Sequence, residues 1–306
     1  MKQLYLLFQK NKRLRVWLLF FSLCFLFILG WYLSLRFGAV AYSNAQLMSV
    51  FRHPLTDSNL QDVIFDLRLP RTIAAILVGA AMAQDSSIIQ SVTRNPIADP
   101  GLLGINAGAG LALIVGYAIF GSMHYSLILI ICLFGAILAA ILVFGIAYHP
   151  RKGYQQLRLI LAGAMISTLF SSLGQAITLY FDLSKAVIGW QSGGLAQINW
   201  KMLGIIAPFI ILGLLLAQLF ARQLTILSLD ETVAKALGQR TFAMTMTFLA
   251  IVVILSAAAV ALGGSIAVVG LIIPHFVKMF VAKDYRIILP LTAFAGSTFM
   301  LWVDLI

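Results

Sequence analysis

Nine stretches of about 20 residues carry almost no charge, and this constrains the fold more than any motif in the chain. They are 16–36, 71–92, 101–120, 125–148, 158–181, 202–221, 243–262, 265–282 and 286–306. A helix of that length matches the apolar thickness of a bilayer, where a backbone must satisfy its own amides. Charged residues make up 10% of the sequence, against about 25% in soluble domains, too few to cover a water-facing surface. The reading is an all-α polytopic membrane protein, a dense bundle of about nine transmembrane helices forming one domain over 1–306.

The net charge of +11 does not point to nucleic acid, because the basic residues form no single patch. They alternate with the apolar runs. Segments 1–15, 93–100, 149–158, 222–242 and 278–286 hold 15 of the 21 Lys and Arg residues. The opposite segments hold the other six: Arg36, Arg52, Arg68, Arg71, Lys185 and Lys201. The positive-inside rule then puts the N-terminus in the cytoplasm, and an odd helix count puts the C-terminus outside. Basic residues up to Arg15 precede an apolar run that continues to about Leu35 without a small-residue cleavage site. This is a retained first helix rather than a removed signal. Cys24 and Cys132 sit in separate apolar runs and read as buried thiols.

The stretch Arg68 to Gly110 organises the rest. It opens on a basic, proline-broken corner, Arg68-Leu69-Pro70-Arg71, and runs through Val78-Gly79. It breaks at Asn95-Pro96 and Asp99-Pro100, then restarts at Gly101. Two closely packed membrane helices joined by a proline-stiffened turn fit this pattern. Small residues at helical spacing, Gly79/Ala83, Gly104/Gly108, Gly163/Ser167/Ser171 and Ala257 to Ala259, allow close backbone approach. Gly263-Gly264-Ser265 reads as a tight turn or a helix break. Segment 182–201 reads as a short interfacial helix, with Trp190 and Trp200 suited to the headgroup belt. Pro274 kinks or ends its helix, and the adjacent His275 reads as structural rather than as a ligand.

Several chemistries are excluded. The sequence has no Gly-Lys dipeptide and hence no phosphate-binding Walker loop; it has no HExxH, no GxSxG and no acidic pair at metal spacing. Any energetic work must come from another chain. The longest inner loop, 222–242, contains a helical pattern opened by Asp230 and Glu231 and closed by Gly238. Leu229, Val233, Ala236 and Leu237 fall on one face. Such a helix suits lipid or a partner's groove. Glu231, the only glutamate, tips the balance to a partner.

Motifs in order along nearly the whole chain resemble those of FecCD-type permease subunits of type II ABC importers for iron–siderophores, haem and vitamin B12. They include Arg68-Leu69-Pro70-Arg71, Val78-Gly79-Ala80-Ala81, Gln90, and Asn95-Pro96-Ile97-Ala98-Asp99-Pro100-Gly101-Leu102-Leu103-Gly104. Leu161-Ala162-Gly163, Leu227-Ser228-Leu229 with Ala234 and Leu237-Gly238, and Val269 to His275 continue the match, followed by Asp284, Arg286 and Leu289-Pro290.

The resemblance implies a transport subunit, not an enzyme. It implies a second permease chain (a copy or a paralogue), two cytoplasmic ATPases and an extracytoplasmic substrate-binding protein. ATP would sit on the ATPases, and this chain would bind no cofactor. The place is the bacterial cytoplasmic membrane, and the cargo a ferric siderophore, with haem and cobalamin as alternatives. Asp230, Glu231, Val233, Ala234, Ala236, Leu237 and Gly238 would couple to the ATPase. Arg68 and Arg71 would dock glutamates of the binding protein, or simply anchor at headgroups. Tyr154 and Gln155 would lie near the cytoplasmic gate. Ser171, Ser172 and Gln175 would line the pathway, or bond between helices.

Two departures stand out. The family has a small, apolar Ser-Gly-Ala where this chain has Gln84-Asp85-Ser86-Ser87; an intramembrane aspartate is a functional candidate by default, here a sensor of a cationic substrate or a proton, and the alternative is a damaging divergence at a packing site. The family pattern also has a tenth helix, absent here. A rival reading is an ATP-independent secondary transporter or channel with Asp85 as its ion site.

Overall fold

The computed structural model describes residues 12–38, 40–52, 59–101, 103–149, 153–154, 156–185, 187, 194–229, 231–264, 269–281 and 283–305. Every apolar run contains a helix. The helices are α1 (Lys12–Arg36), α2 (Asn44–Arg52), α3 (Asn59–Asp62), α4 (Leu69–Val92), α5 (Ile105–Phe120), α6 (Tyr125–Ala147) and α7 (Gln156–Tyr180). They continue with α8 (Trp200–Leu219), α9 (Ala221–Leu227), α10 (Glu231–Ala236), α11 (Thr241–Gly263), α12 (Val269–Phe280) and α13 (Tyr285–Leu305). Between α6 and α7, β1 (Tyr148–His149) pairs antiparallel with β2 (Gly153–Tyr154).

The nine expected spans differ in length. Seven helices are long and apolar enough to cross a bilayer; α5 and α12 are shorter. The run expected at 101–120 loses its first turn because Gly104 adopts φ +77° and α5 starts after it. The run expected at 265–282 contains a 12-residue helix, α12, which at 1.5 Å per residue is about 18 Å long. That helix alone falls short of a hydrocarbon core about 30 Å thick. Pro274 lies inside α12 rather than ending it. The segment expected as a loop at 222–242 carries two helices, α9 and α10. Of the interfacial helix expected over 182–201, residues 186 and 188–193 lie outside the described residues, and the described part includes a 3-10 turn at Gly194–Gln197 and the start of α8 at Trp200.

The corner expected at Arg68-Leu69-Pro70-Arg71 is not a corner. Helix runs continuously from α3 through a π turn, Val63–Arg68, into α4, with Pro70 in the first turn of α4. Proline is tolerated there because the register widens ahead of it: Leu69 N–H reaches back to Ile64 O. In that register Phe65 O would look to residue 70, which has no N–H to give. The Trp200 indole N–H fills the gap at 2.7 Å. Trp200, expected from sequence in the headgroup belt, is therefore a backbone cap.

Helix α4 is the axis of the bundle. Eighteen of its 24 residues are buried. Its closest neighbour is α13, and the reason is a pair of glycines. A Cβ on Gly79 would lie 2.8 Å from the Gly296 carbonyl carbon and from Met300 Cβ; a Cβ on Gly296 would strike Gly79 O. α5 and α6 cross the same way through Gly108 and Gly135. Small residues thus set the backbone separation, as van der Waals packing in lipid requires. The outer helices look outward: Phe21, Phe25 and Ile28 on α1 and Met165 and Leu179 on α7 are exposed, a lipid- or partner-facing pattern.

Candidate functional site

Polar residues gather at two ends of the bundle, in one cleft, and in a small buried cluster of Asp85, Ser86, Asp99, Asn106 and Ser256. At the end where α4 begins, Arg71 clamps α4 to α13. Its Nε lies 2.9 Å from both carboxylate oxygens of Asp304, and Nη2 donates to the Asp304 carbonyl at 3.1 Å. Asp304 is nearly buried, while Arg71 remains 42% exposed. Arg68 caps the end of α1 by donating to Leu35 O at 2.7 Å; it also donates to Val40 O and stacks on Tyr42 with its guanidinium carbon 4.6 Å from the ring centre. Both arginines expected to face a binding protein therefore already serve the chain's own fold.

At the opposite end, α4 closes with a left-handed residue that is not glycine, Arg94 at φ +51°. Arg94 N–H reaches Ser91 O and Asn95 N–H reaches Gln90 O, the two bonds of a Schellman cap. The proline-stiffened turn follows. Asn95 Oδ1 accepts Ile97 N–H at 3.1 Å and Asp99 Oδ1 accepts Gly101 N–H at 2.7 Å, two successive Asx turns. Arg94 Nε donates to Leu227 O at 3.3 Å, and Ser91 Oγ donates to Leu224 O at 3.3 Å, so α9 is bound to this end. Lys278 donates to Gln90 Oε1 at 2.8 Å here as well.

Helix α10 hangs beyond α9. Gly238, at φ +77°, ends it with a second Schellman cap: Gly238 N–H to Lys235 O at 2.9 Å, and Gln239 N–H to Ala234 O at 3.1 Å. Gln239 then ties the loop back, donating to Gln223 O at 2.9 Å. Among the expected coupling residues with described side chains, Ala234 alone is buried. Val233 is 46% and Leu237 60% exposed, and Ala236 and Gly238 are exposed too. The apolar face read from the sequence thus points away from the protein. Glu231 starts the helix, and Asp230 lies outside the described residues.

The cleft lies between α5 and α7 and encloses about 450 Å³. Ser171 and Gln175 line it, joined by Asn106, Thr178 and Ser184 among apolar walls such as Phe170 and Leu111. Ser172 is exposed but does not line the cleft, because one residue along a helix is a rotation of about 100°. Ser171, Gln175 and Thr178 follow i, i+4, i+7 spacing, which would have selected Thr178 and rejected Ser172. Asn106 was missed, although it is the only strongly polar side chain in α5. Among the described residues no interhelical hydrogen bond engages Ser171, Ser172 or Gln175. Tyr154 occupies β2 opposite Tyr148, and Gln155 lies outside the described residues.

The set has no nucleophile–base pair, and among the described residues no group of three His, Cys, Asp or Glu side chains is placed to hold a metal. What it offers is a polar cleft in an apolar bundle, with a rigidly capped apolar helix at one end. Comparison with known proteins agrees. The chain is 37% identical over 284 residues to the iron(3+)-hydroxamate import system permease protein FhuB of Bacillus subtilis, covering 93% of this chain and 74% of that one. It is 34% identical to FhuG of the same import system over 289 residues, 91% of this chain and 85% of the relative. The molybdate import system permease protein MolB of Haemophilus influenzae is 34% identical over 297 residues, 93% and 86% of the two chains. Among solved structures, an inward-facing metal-chelate type ABC transporter superposes with a TM-score of 0.79 at 30% identity, over 95% of this chain and 89% of that one. The model of the FecCD transport family matches residues 26–306, and the chain therefore belongs to that family.

Proposed function

We propose that the chain is one permease subunit of an ABC importer that moves a ferric chelate of the siderophore class across the bacterial cytoplasmic membrane. Two such subunits, copies or paralogues, enclose the pathway; relatives that occur as a pair, FhuB and FhuG, support a paired arrangement. The cleft between α5 and α7 is this chain's share of the pathway wall, and its hydroxyls and amides suit a polar cargo that must be released again. Iron(3+)-hydroxamate names two of the relatives above, which favours a ferric chelate over the molybdate of a third.

The observation that carries the reading is α10. A six-residue helix that turns Val233, Ala236 and Leu237 outward gains nothing for the fold by doing so. One Schellman cap nevertheless closes it, and Gln239 ties the following loop to Gln223 of α9, which is bonded to the axis helix α4. That is the construction of a lever: a partner's ATP-driven closure pushes α10, and the push reaches α4. The partner is a cytoplasmic ATPase, two copies per permease pair. α10 shares its end with Arg94, Arg222, Arg240 and Arg286, the basic end that the positive-inside rule assigns to the cytoplasm, so the N-terminus is cytoplasmic as well. At the far end, the exposed part of Arg71 is left to meet a binding protein, while Arg68 serves chiefly as a cap.

Co-purification tests the lever. Leu237→Asp places a charge in the apolar contact. The permease should still fold and insert but lose its ATPase subunit on affinity purification. Retention of stoichiometric ATPase would show that the contact lies elsewhere.

A further inference from the structure

The geometry points to a binding site for one monovalent cation of sodium size, buried between α4, the turn after it, α5, α11 and α12, with Asp85 as its charged ligand. The site goes beyond the transport reading and does not depend on it. Asp85 is 2% exposed, yet only one of its oxygens is engaged: Oδ2 accepts from Ser256 Oγ on α11, and Oδ1 has no hydrogen-bond partner. That carboxylate lines a small cavity of about 10 Å³ with Ser86, Asp99, Asn106, Ser256 and Gly270. The volume admits about one water-sized sphere.

The charge balance selects the ligand. Asp99 also faces the cavity, but its carboxylate already takes two donors, Gly101 N–H at 2.7 Å and Ser86 Oγ at 2.7 Å. Asp85 has one donor and a free oxygen, so it is the carboxylate with an unfilled position at the cavity. A buried carboxylate in that condition is costly, and a neutral water supplies a hydrogen bond but no charge. A single positive ion supplies the charge and takes the free oxygen as a ligand. The walls offer hard oxygen ligands from two carboxylates, two hydroxyls and an amide, a set that suits hard cations rather than softer metals. A divalent ion is disfavoured by room rather than by charge: Mg²⁺ keeps several waters and Ca²⁺ takes six to eight oxygens, whereas this cavity admits about one water-sized sphere and both carboxylates already accept hydrogen bonds.

The surroundings keep the cavity open. Gly270 of α12 passes so close that a Cβ there would strike Ser86 Oγ and lie 2.5 Å from Asp99 Oδ2. Met82 and Pro100 close the apolar side. A bound ion would tie α4 to α11 and, through the Asp99 turn, to α5. Its occupancy would therefore stiffen the axis helix of the bundle.

The test is direct binding of radioactive sodium to the full chain purified in nanodiscs, paired with thermal unfolding at constant ionic strength in sodium, potassium or choline chloride. One saturable sodium ion per chain is expected, with a rise in Tm of about 5 °C at saturation that choline does not produce. Asp85→Asn should abolish both. Ser256→Ala, which keeps the carboxylate, should weaken binding by about tenfold, the loss of roughly one ligand's contribution. Binding to the wild-type chain is read without any variant, so failure of a variant to fold leaves the test intact. Absence of saturable sodium binding to the wild type would overturn the proposal. So would a Tm that ignores sodium but varies with pH only while Asp85 is present, because Asp85 would then hold a proton.

Discussion

Removing the Arg71 side chain should cost the fold about 2 kcal/mol, and the reason lies in what Asp304 is left with. The pair has near-bidentate geometry, with Nε 2.9 Å from each carboxylate oxygen and a further bond to the Asp304 carbonyl at 3.1 Å. Exposed ion pairs contribute about 0.2–1 kcal/mol, and breaking a buried pair costs about 3–5 kcal/mol. This pair lies between, because Asp304 is 9% exposed and Arg71 42%. Arg71→Ala strands a nearly buried carboxylate at the seam of α4 and α13, so its effect should exceed that of Asp304→Asn, which leaves an arginine able to reach water. The assay is reversible unfolding in mixed micelles as a double-mutant cycle, with a coupling energy expected at about 1–2 kcal/mol. Binding-protein affinity measured on the same variants separates the clamp from the docking role proposed for Arg71. Arg71→Ala should lower both stability and affinity, whereas Asp304→Asn should lower stability only. If Arg71→Ala unfolds within about 0.5 kcal/mol of the wild type, with no coupling to Asp304, the clamp contributes nothing and the argument from burial is wrong.

Other outcomes follow from the packing and the caps. Gly79→Ala and Gly108→Ala force a methyl into a facing backbone and should destabilise by about 1–3 kcal/mol, whereas Gly204→Ala, where nothing lies within 4 Å, should be neutral or stabilising by up to about 1 kcal/mol; thermal unfolding distinguishes them. Gly238→Ala strains a left-handed cap by about 1–2 kcal/mol, so amide exchange in α10 should quicken roughly tenfold while exchange in α4 is unchanged. With Cys24 and Cys132 replaced, cysteines at Ser171 and Gln175 should react with a water-soluble maleimide in proteoliposomes, and one at the fully buried Leu113 should not.

Hydropathy made the helices legible because lipid demands long apolar runs, and each of the nine runs contains a helix. Their ends were less so. α9 follows α8 after Phe220 alone, with no glycine or proline between them, so composition shows no boundary. The π turn before Pro70 was hidden for a different reason. A proline after charged residues signals a break, and only the distant Trp200 indole supplies the bond that removes it. The capped helix at 231–236 was readable because its signals are local: acidic residues at one end, Gly238 at the other and apolar residues on one face. The roles of Arg71 and Asp85 were not readable to the same depth. Sequence marked both residues as out of place, but their partners, Asp304 and Ser256, lie 233 and 171 residues away, and pairing at that distance leaves no periodic trace.

The central claim is that this permease moves a ferric chelate only when α10 transmits an ATPase's closure. The measurement that tests it most directly is ATP-dependent uptake of radio-iron hydroxamate into proteoliposomes holding the permease pair, its ATPase and the binding protein inside or outside as the orientation requires. Uptake should need ATP, be outcompeted by unlabelled ferric hydroxamate but not by molybdate, and fall to background in Leu237→Asp while the permease stays folded. Uptake that proceeds without ATP, or that survives Leu237→Asp undiminished, would contradict the account.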